Sequence, residues 1–163
     1  MTMFPRLRAV LETVACVAVC LLPGAIGGRF QPGEWYASLA KPALTPPGAL
    51  FPVVWTLLYV AMGVALALVW RRHGAPGRAG AIVVFGLQLV LNGAWSWLFF
   101  GLQRPELAFA EILLLWTAIL ASTLLFWRVR PLAGALLLPY LAWVGFAAWL
   151  NLQIWRLNPM TTG

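Results

Sequence analysis

The chain has 163 residues, of which 63% are hydrophobic and 9% charged, and its formal net charge is +7. A water-soluble domain is about half apolar and about one-quarter charged, so this composition excludes an ordinary soluble domain and points to a bilayer. The basic residues are scattered at the ends of apolar runs rather than gathered into a patch, which argues against nucleic acid as a partner.

Five apolar stretches, at about 9–28, 51–70, 79–101, 106–127 and 131–155, reach the roughly 20 residues that a spanning helix needs. They predict an all-α, multi-pass integral membrane protein, a bundle of five transmembrane helices forming a single domain over 1–163. Cys16 and Cys20 lie one turn apart in the first stretch, too constrained to bridge within a regular helix and without nearby metal ligands. They read as small buried residues. The first run is long, and Pro23-Gly24 leads into a Gly-rich helix end rather than an Ala-x-Ala site, so no cleavable signal peptide is expected.

Residues 29–50 form the one long connector. Pro42, Pro46, Pro47 and Pro52 remove backbone donors and fix φ, so no helix can run from Trp35 to Phe51. A connector this stiff loses little entropy on closing, and reads as a structured lid over a pocket. The later links, RRHGAPGR, the turn around Gln103–Pro105 and RVRP, are short and predict that sequential helices pack as antiparallel neighbours.

In the second span Phe51, Trp55 and Tyr59 recur at helical spacing. In the third, Gln88, Asn92, Trp95 and Phe99 fall within about 60° of one another, with Gly86 and Gly93 nearly opposite. In the fifth, Tyr140, Trp143, Ala147 and Asn151 share a face with Leu150 beside them. Amides in hydrocarbon need partners, so these faces point inward. Two readings stand side by side. The faces converge on a cavity walled by flat rings and carrying a few polar groups, suited to a large planar apolar ligand. Alternatively the amides only join helices, and the rings, above all Trp70, Trp127 and Trp155, form an interfacial belt. Glu111, in the fourth span, is expected to be solvated or paired with Arg104.

Arg6, Arg8, Arg71, Arg72, Arg78, Arg128 and Arg130 fall at one side of such a bundle, against Arg29, Lys41, Arg104 and Arg156 at the other. The bias predicts a cytoplasmic N-terminus, with the 29–50 lid on the opposite side. With ten arginines to one lysine, the usage suggests a GC-rich bacterial genome and hence a bacterial cell envelope. No inverted repeat is visible. One histidine and four glutamates assemble no catalytic constellation, so neither catalytic nor metal-ligating residues are expected.

Trp35-Tyr36, Leu39, Lys41-Pro42, Pro46-Pro47, Pro52, Trp55 and Leu58-Tyr59 resemble the first loop and second helix of the TspO/MBR family. These are the translocator or tryptophan-rich sensory proteins, whose animal members were called peripheral benzodiazepine receptors. Gln88-Leu89, Leu91-Asn92, Trp95 and Phe99-Phe100-Gly101 are similar to that family's third helix. Pro139-Tyr140-Leu141, Trp143, Phe146-Ala147 and Leu150-Asn151 are similar to its fifth. The resemblance implies a five-helix bundle, commonly a homodimer, that requires no cofactor and binds porphyrins such as protoporphyrin IX as ligands. It implies a receptor or sensor, with a contribution to tetrapyrrole transport or efflux. By position, Trp55, Tyr59, Asn92, Trp95, Trp143, Ala147 and Leu150 would line the pocket, beneath Trp35, Tyr36 and Lys41. Two positions depart from the pattern: Leu44 stands where the family has a Trp, and Leu152 where its sterol-recognition pattern has a Tyr.

The lone His73 lies across the membrane from the lid, so haem in this pocket would lack a histidine ligand. A metal-free porphyrin is therefore expected, its propionates pairing with Lys41 or Arg29. Light- or oxygen-dependent porphyrin breakdown, and a scaffold packing through Gly24, Gly28, Gly86 and Gly93, are the alternative functions.

Overall fold

Prolines and glycines set where the helices begin and stop. Pro105 and Pro131 open two of them at the first-turn position, where a missing N–H costs nothing. Gly74 and Gly77 take φ of 80° and 76° in the connector before a third, a left-handed conformation that side chains resist. In the computed structural model, which describes residues 3–159, the helices are α1 (Met3–Gly27), α2 (Glu34–Ser38), α3 (Leu50–Trp70), α4 (Arg78–Ser96), α5 (Pro105–Val129) and α6 (Pro131–Leu157). A π-helical turn, Trp97–Gly101, prolongs α4 and closes with a 2.8 Å bond from the Leu102 N–H to the Trp97 carbonyl. All the described regular structure is helical. Five helices are 21 to 27 residues long in their apolar part, enough to cross a membrane. The chain is an all-α, multi-pass membrane protein.

The helices close a ring in the order α1, α3, α6, α5, α4 and back to α1. Two of the three expected neighbour pairs along the chain appear, α4 with α5 and α5 with α6. The third does not: α3 and α4 touch only lightly, because α1 stands between them. The connector 71–77 is the reason. Seven residues can reach at most about 25 Å, well beyond the 8–10 Å between packed helices, so this link need not join neighbours.

Two contacts seat α1 in that gap. Gly63 on α3 meets the α1 backbone, and a Cβ there would lie 2.4 Å from the Val17 Cα. At the end that carries the α3–α4 connector, the Arg71 guanidinium donates to the Ala9 carbonyl and the Thr13 hydroxyl, and lies 3.2 Å from Glu12, which also pairs with Arg8 at 2.9 Å. This half of the bundle is filled by Met62, Leu115, Ile119 and the stacked rings of Phe85 and Phe126, 5.0 Å apart. The opposite half, below the 28–49 connector, carries most of the aromatic pairs.

Glycine serves differently on α4. Gly93 faces Pro23 of α1, at 3.7 Å from a would-be Cβ, whereas nothing lies within 4 Å of one at Gly86. Gly63→Ala should therefore destabilise the bundle by about 1–3 kcal/mol, and Gly86→Ala should cost the isolated protomer no stability. Thermal unfolding of both variants in the same detergent checks this; equal melting points would contradict it.

Candidate functional site

A line of hydrogen bonds crosses the middle of the bundle. The Tyr59 hydroxyl on α3 donates to Asn92 Oδ1 on α4 at 2.8 Å, and Asn92 Nδ2 donates to the Tyr140 hydroxyl on α6 at 3.0 Å. Tyr140 in turn donates to Gln88 Oε1, one turn back on α4, at 2.8 Å. All four side chains are buried. In lipid no water replaces these partners, so the line fixes how α3, α4 and α6 face one another. Nearer the lid, Trp95 Nε1 donates to Asn151 Oδ1 at 3.1 Å and Asn151 Nδ2 donates to the Pro105 carbonyl at 2.8 Å, tying α4, α5 and α6 together.

Aromatic rings cover this polar line on the lid side. Trp55 stacks on Tyr59 at 5.4 Å and meets Tyr140 edge-on at 6.1 Å. Phe51 meets Trp143 edge-on at 5.9 Å, and Trp95 stacks on Phe99 at 5.0 Å. Trp55, Trp95, Trp143 and Ala147 are half-buried, whereas Phe99 and Leu150 are buried. The π turn adds a residue to the last turn of α4, which brings Phe99 and Phe100 under the lid rings. Two donors face inward without a protein partner, Trp143 Nε1 and Gln88 Nε2.

The lid is ordered by its own contacts. One helical turn, α2, carries Trp35 and Tyr36 onto Phe99 at 5.8 and 6.2 Å, and Leu39 is buried beside Phe99, Ala108, Leu150 and Ile154. Burial pushes the Tyr36 hydroxyl above its ordinary pKa. Lys41 donates to the Ala37 and Leu39 carbonyls and sits 4.6 Å over the Tyr36 ring, so its ammonium is engaged in holding the loop. Leu44, where the family pattern has a Trp, is 69% exposed and adds no wall.

The sequence-predicted residues thus fall into two groups. Trp55, Tyr59, Asn92, Tyr140 and Gln88 are joined by ring contacts and hydrogen bonds, Trp95 stacks on Phe99 and Trp143 meets Phe51, with Ala147 and Leu150 on the same helix as Tyr140 and Trp143. Trp35, Tyr36 and Lys41 sit in the lid above them. His73 lies in the α3–α4 connector, at the opposite end, and no metal-binding cluster occurs among the described residues. Leu152 is elsewhere, in an outer groove of about 630 Å³ with Phe109, Trp155, Arg156 and Pro159.

Glu111 is not where sequence reasoning placed it. Arg104 pairs with Glu106 instead, and Glu111 is buried without a hydrogen-bond partner among the described residues. Sequence reasoning also missed Asn158. Its Oδ1 accepts from the Ala40 N–H and its Nδ2 donates to the Ala40 carbonyl, both at 3.0 Å, clasping the lid to the end of α6. An Asn followed by Pro159 is a legible helix stop, but nothing local announces the loop it catches. Asn158→Ala should free the lid at a cost of about 1–2 kcal/mol, raising amide exchange across 34–45 about five- to thirtyfold with the helices unaffected. Exchange that rises equally in α5 and α6, or not at all, would contradict the clasp.

Comparison with known proteins agrees with this architecture. The TspO/MBR family matches residues 16–156. The chain is 43% identical over 159 residues to the "Tryptophan-rich protein TspO" of Chlorobaculum tepidum, covering 93% of this chain and 99% of the relative. It is 43% identical over 139 residues to the human "Translocator protein", covering 82% of each. It is 35% identical over 142 residues to the "Tryptophan-rich sensory protein" of Cereibacter sphaeroides, covering 87% and 88%. The chain belongs to the TspO/MBR family of membrane proteins.

Proposed function

We propose that this protein is a membrane receptor or sensor that binds metal-free porphyrins of the protoporphyrin IX type, held by ring stacking between the lid and the Tyr59–Asn92–Tyr140–Gln88 line. The observation that carries this reading is the arrangement of half-buried Trp55, Trp95 and Trp143 around that line. Flat rings offer large apolar area, and the inward Trp143 Nε1 offers a donor to a sparsely polar ligand. Relatives bearing sensory and translocator names support a receptor, and a part in tetrapyrrole efflux belongs to the same reading.

The far placement of His73 supports a ligand without iron, since no imidazole stands near the rings to take an axial position. Propionates reach the rim of the lid. Lys41 would have to leave two carbonyls to pair with one, so the exposed Arg29 is the readier partner. A homodimer is part of the proposal, with α4 as the contact face, because Val83, Leu87 and Val90 are exposed around the open Gly86.

Titration with protoporphyrin IX in the dark, followed by tryptophan quenching, tests the reading. Quenching should saturate, and Trp143→Ala should weaken binding by about tenfold or more, as loss of a stacked ring does. Iron protoporphyrin should bind no more tightly than the free base. Linear quenching that is the same in both proteins would mean partitioning into detergent and would overturn the proposal.

A further inference from the structure

Glu111 sits about 9 Å along α5 from Pro105, well inside the span. It is 8% exposed, and neither carboxyl oxygen has a hydrogen-bond partner. Its neighbours along the buried face of α5 are Ala108, Ile112 and Leu115, all apolar. The helices packed against α5 bring no cation to it. From Ala79 to Gly101, α4 and its π turn hold no titratable side chain. Tyr140 comes from α6, with its hydroxyl within electrostatic reach of the carboxyl, and Tyr59 comes from α3. Arg104 is taken by Glu106, while Arg128 and Arg130 lie at the other end of α5 and Arg156 in the last turn of α6.

A bare carboxylate in such a place has no counter-ion and no hydrogen-bond donor among the described residues. A neutral acid has far less to lose. We propose that Glu111 is a proton-binding site within the bundle, and that its proton is linked to ligand occupancy through Tyr140 and Gln88. The proton site stands on the surroundings of Glu111 alone; the linkage rests on the porphyrin reading above.

The linkage follows from the hydrogen-bond line. With Glu111 neutral, Tyr140 gives its proton to Gln88 and receives one from Asn92, which presents the observed wall to the ligand. An ionised Glu111 would draw the Tyr140 hydroxyl, the donor within its electrostatic reach, away from Gln88. That move breaks the Tyr140–Gln88 bond and disturbs that wall. Ligand binding therefore favours the protonated acid. The sign is fixed: affinity is full at low pH and declines once the pH passes the point at which Glu111 ionises, by up to about tenfold per unit.

The four acidic side chains of the chain are all glutamates, Glu12, Glu34, Glu106 and Glu111, so the carboxyls can be counted individually. Protein labelled with carbon-13 at the glutamate carboxyl, in lipid nanodiscs, should give one resonance at the protonated position at neutral pH. That resonance should persist when Glu12, Glu34 and Glu106 are changed to Gln in turn. Its titration midpoint should rise when protoporphyrin IX saturates the protein, and Glu111→Gln should flatten the pH profile of porphyrin affinity. If Glu111→Gln does not fold, the wild-type titration decides alone. An ionised Glu111 at neutral pH, or a midpoint unmoved by saturating porphyrin, would overturn the proposal. Failure of the wild type to bind porphyrin saturably would count against the porphyrin reading and the linkage, with the resonance still deciding the proton site.

Discussion

Hydrocarbon leaves polar groups nowhere to go, and the hydrogen-bonded line Tyr59–Asn92–Tyr140–Gln88 is how this bundle answers that constraint. Each member sits on a mostly apolar spanning helix, and each finds its partner only when α3, α4 and α6 adopt one relative rotation. Apolar packing alone would not choose that rotation, because lipid tails match leucine side chains as well as another helix does. The line thereby divides the bundle. On one side aliphatic side chains and the Phe85–Phe126 stack fill the interior; on the other stand the rings of Trp55, Trp95 and Trp143.

The lid depends on the same frame. Asn151, one turn from Ala147, fixes Trp95 and the start of α5, and the π turn then delivers Phe99 and Phe100 to Trp35 and Tyr36. Asn158, seven residues further along and just past the end of α6, catches Ala40. One face of α6 therefore organises the polar line, the ring walls and the closure of the loop. Changes in the tilt of α6 would be felt at all three.

Much of this was legible in the residues. The 100° periodicity of Gln88, Asn92, Trp95 and Phe99 named the inward face of α4, and the same arithmetic worked for Tyr140 and Trp143 on α6 and for Trp55 and Tyr59 on α3. What periodicity could not give was which helix each face meets. The insertion of α1 between α3 and α4 hinges on a Gly63–Val17 contact and on an Arg71 clamp, both long-range. Lys41 read as a partner for a ligand propionate because its carbonyl partners lie in its own loop, where only the folded turn brings them within reach. Glu111 read as solvated or paired with Arg104 from its distance to the helix end; its burial is set by α4 and α6, which local sequence does not describe.

The most direct test of the account is a double-mutant cycle on the two ends of the polar line, Tyr59→Phe and Gln88→Leu, read by unfolding free energy in nanodiscs. The two side chains do not bond each other, so an ordinary pair of separated sites would be additive within about 0.3–0.5 kcal/mol. A cooperative line predicts a coupling of about 0.6–1.7 kcal/mol, the range of interhelical hydrogen bonds in membranes. Additive effects would mean that the bonds act singly and that the orientation of α3, α4 and α6 is set elsewhere.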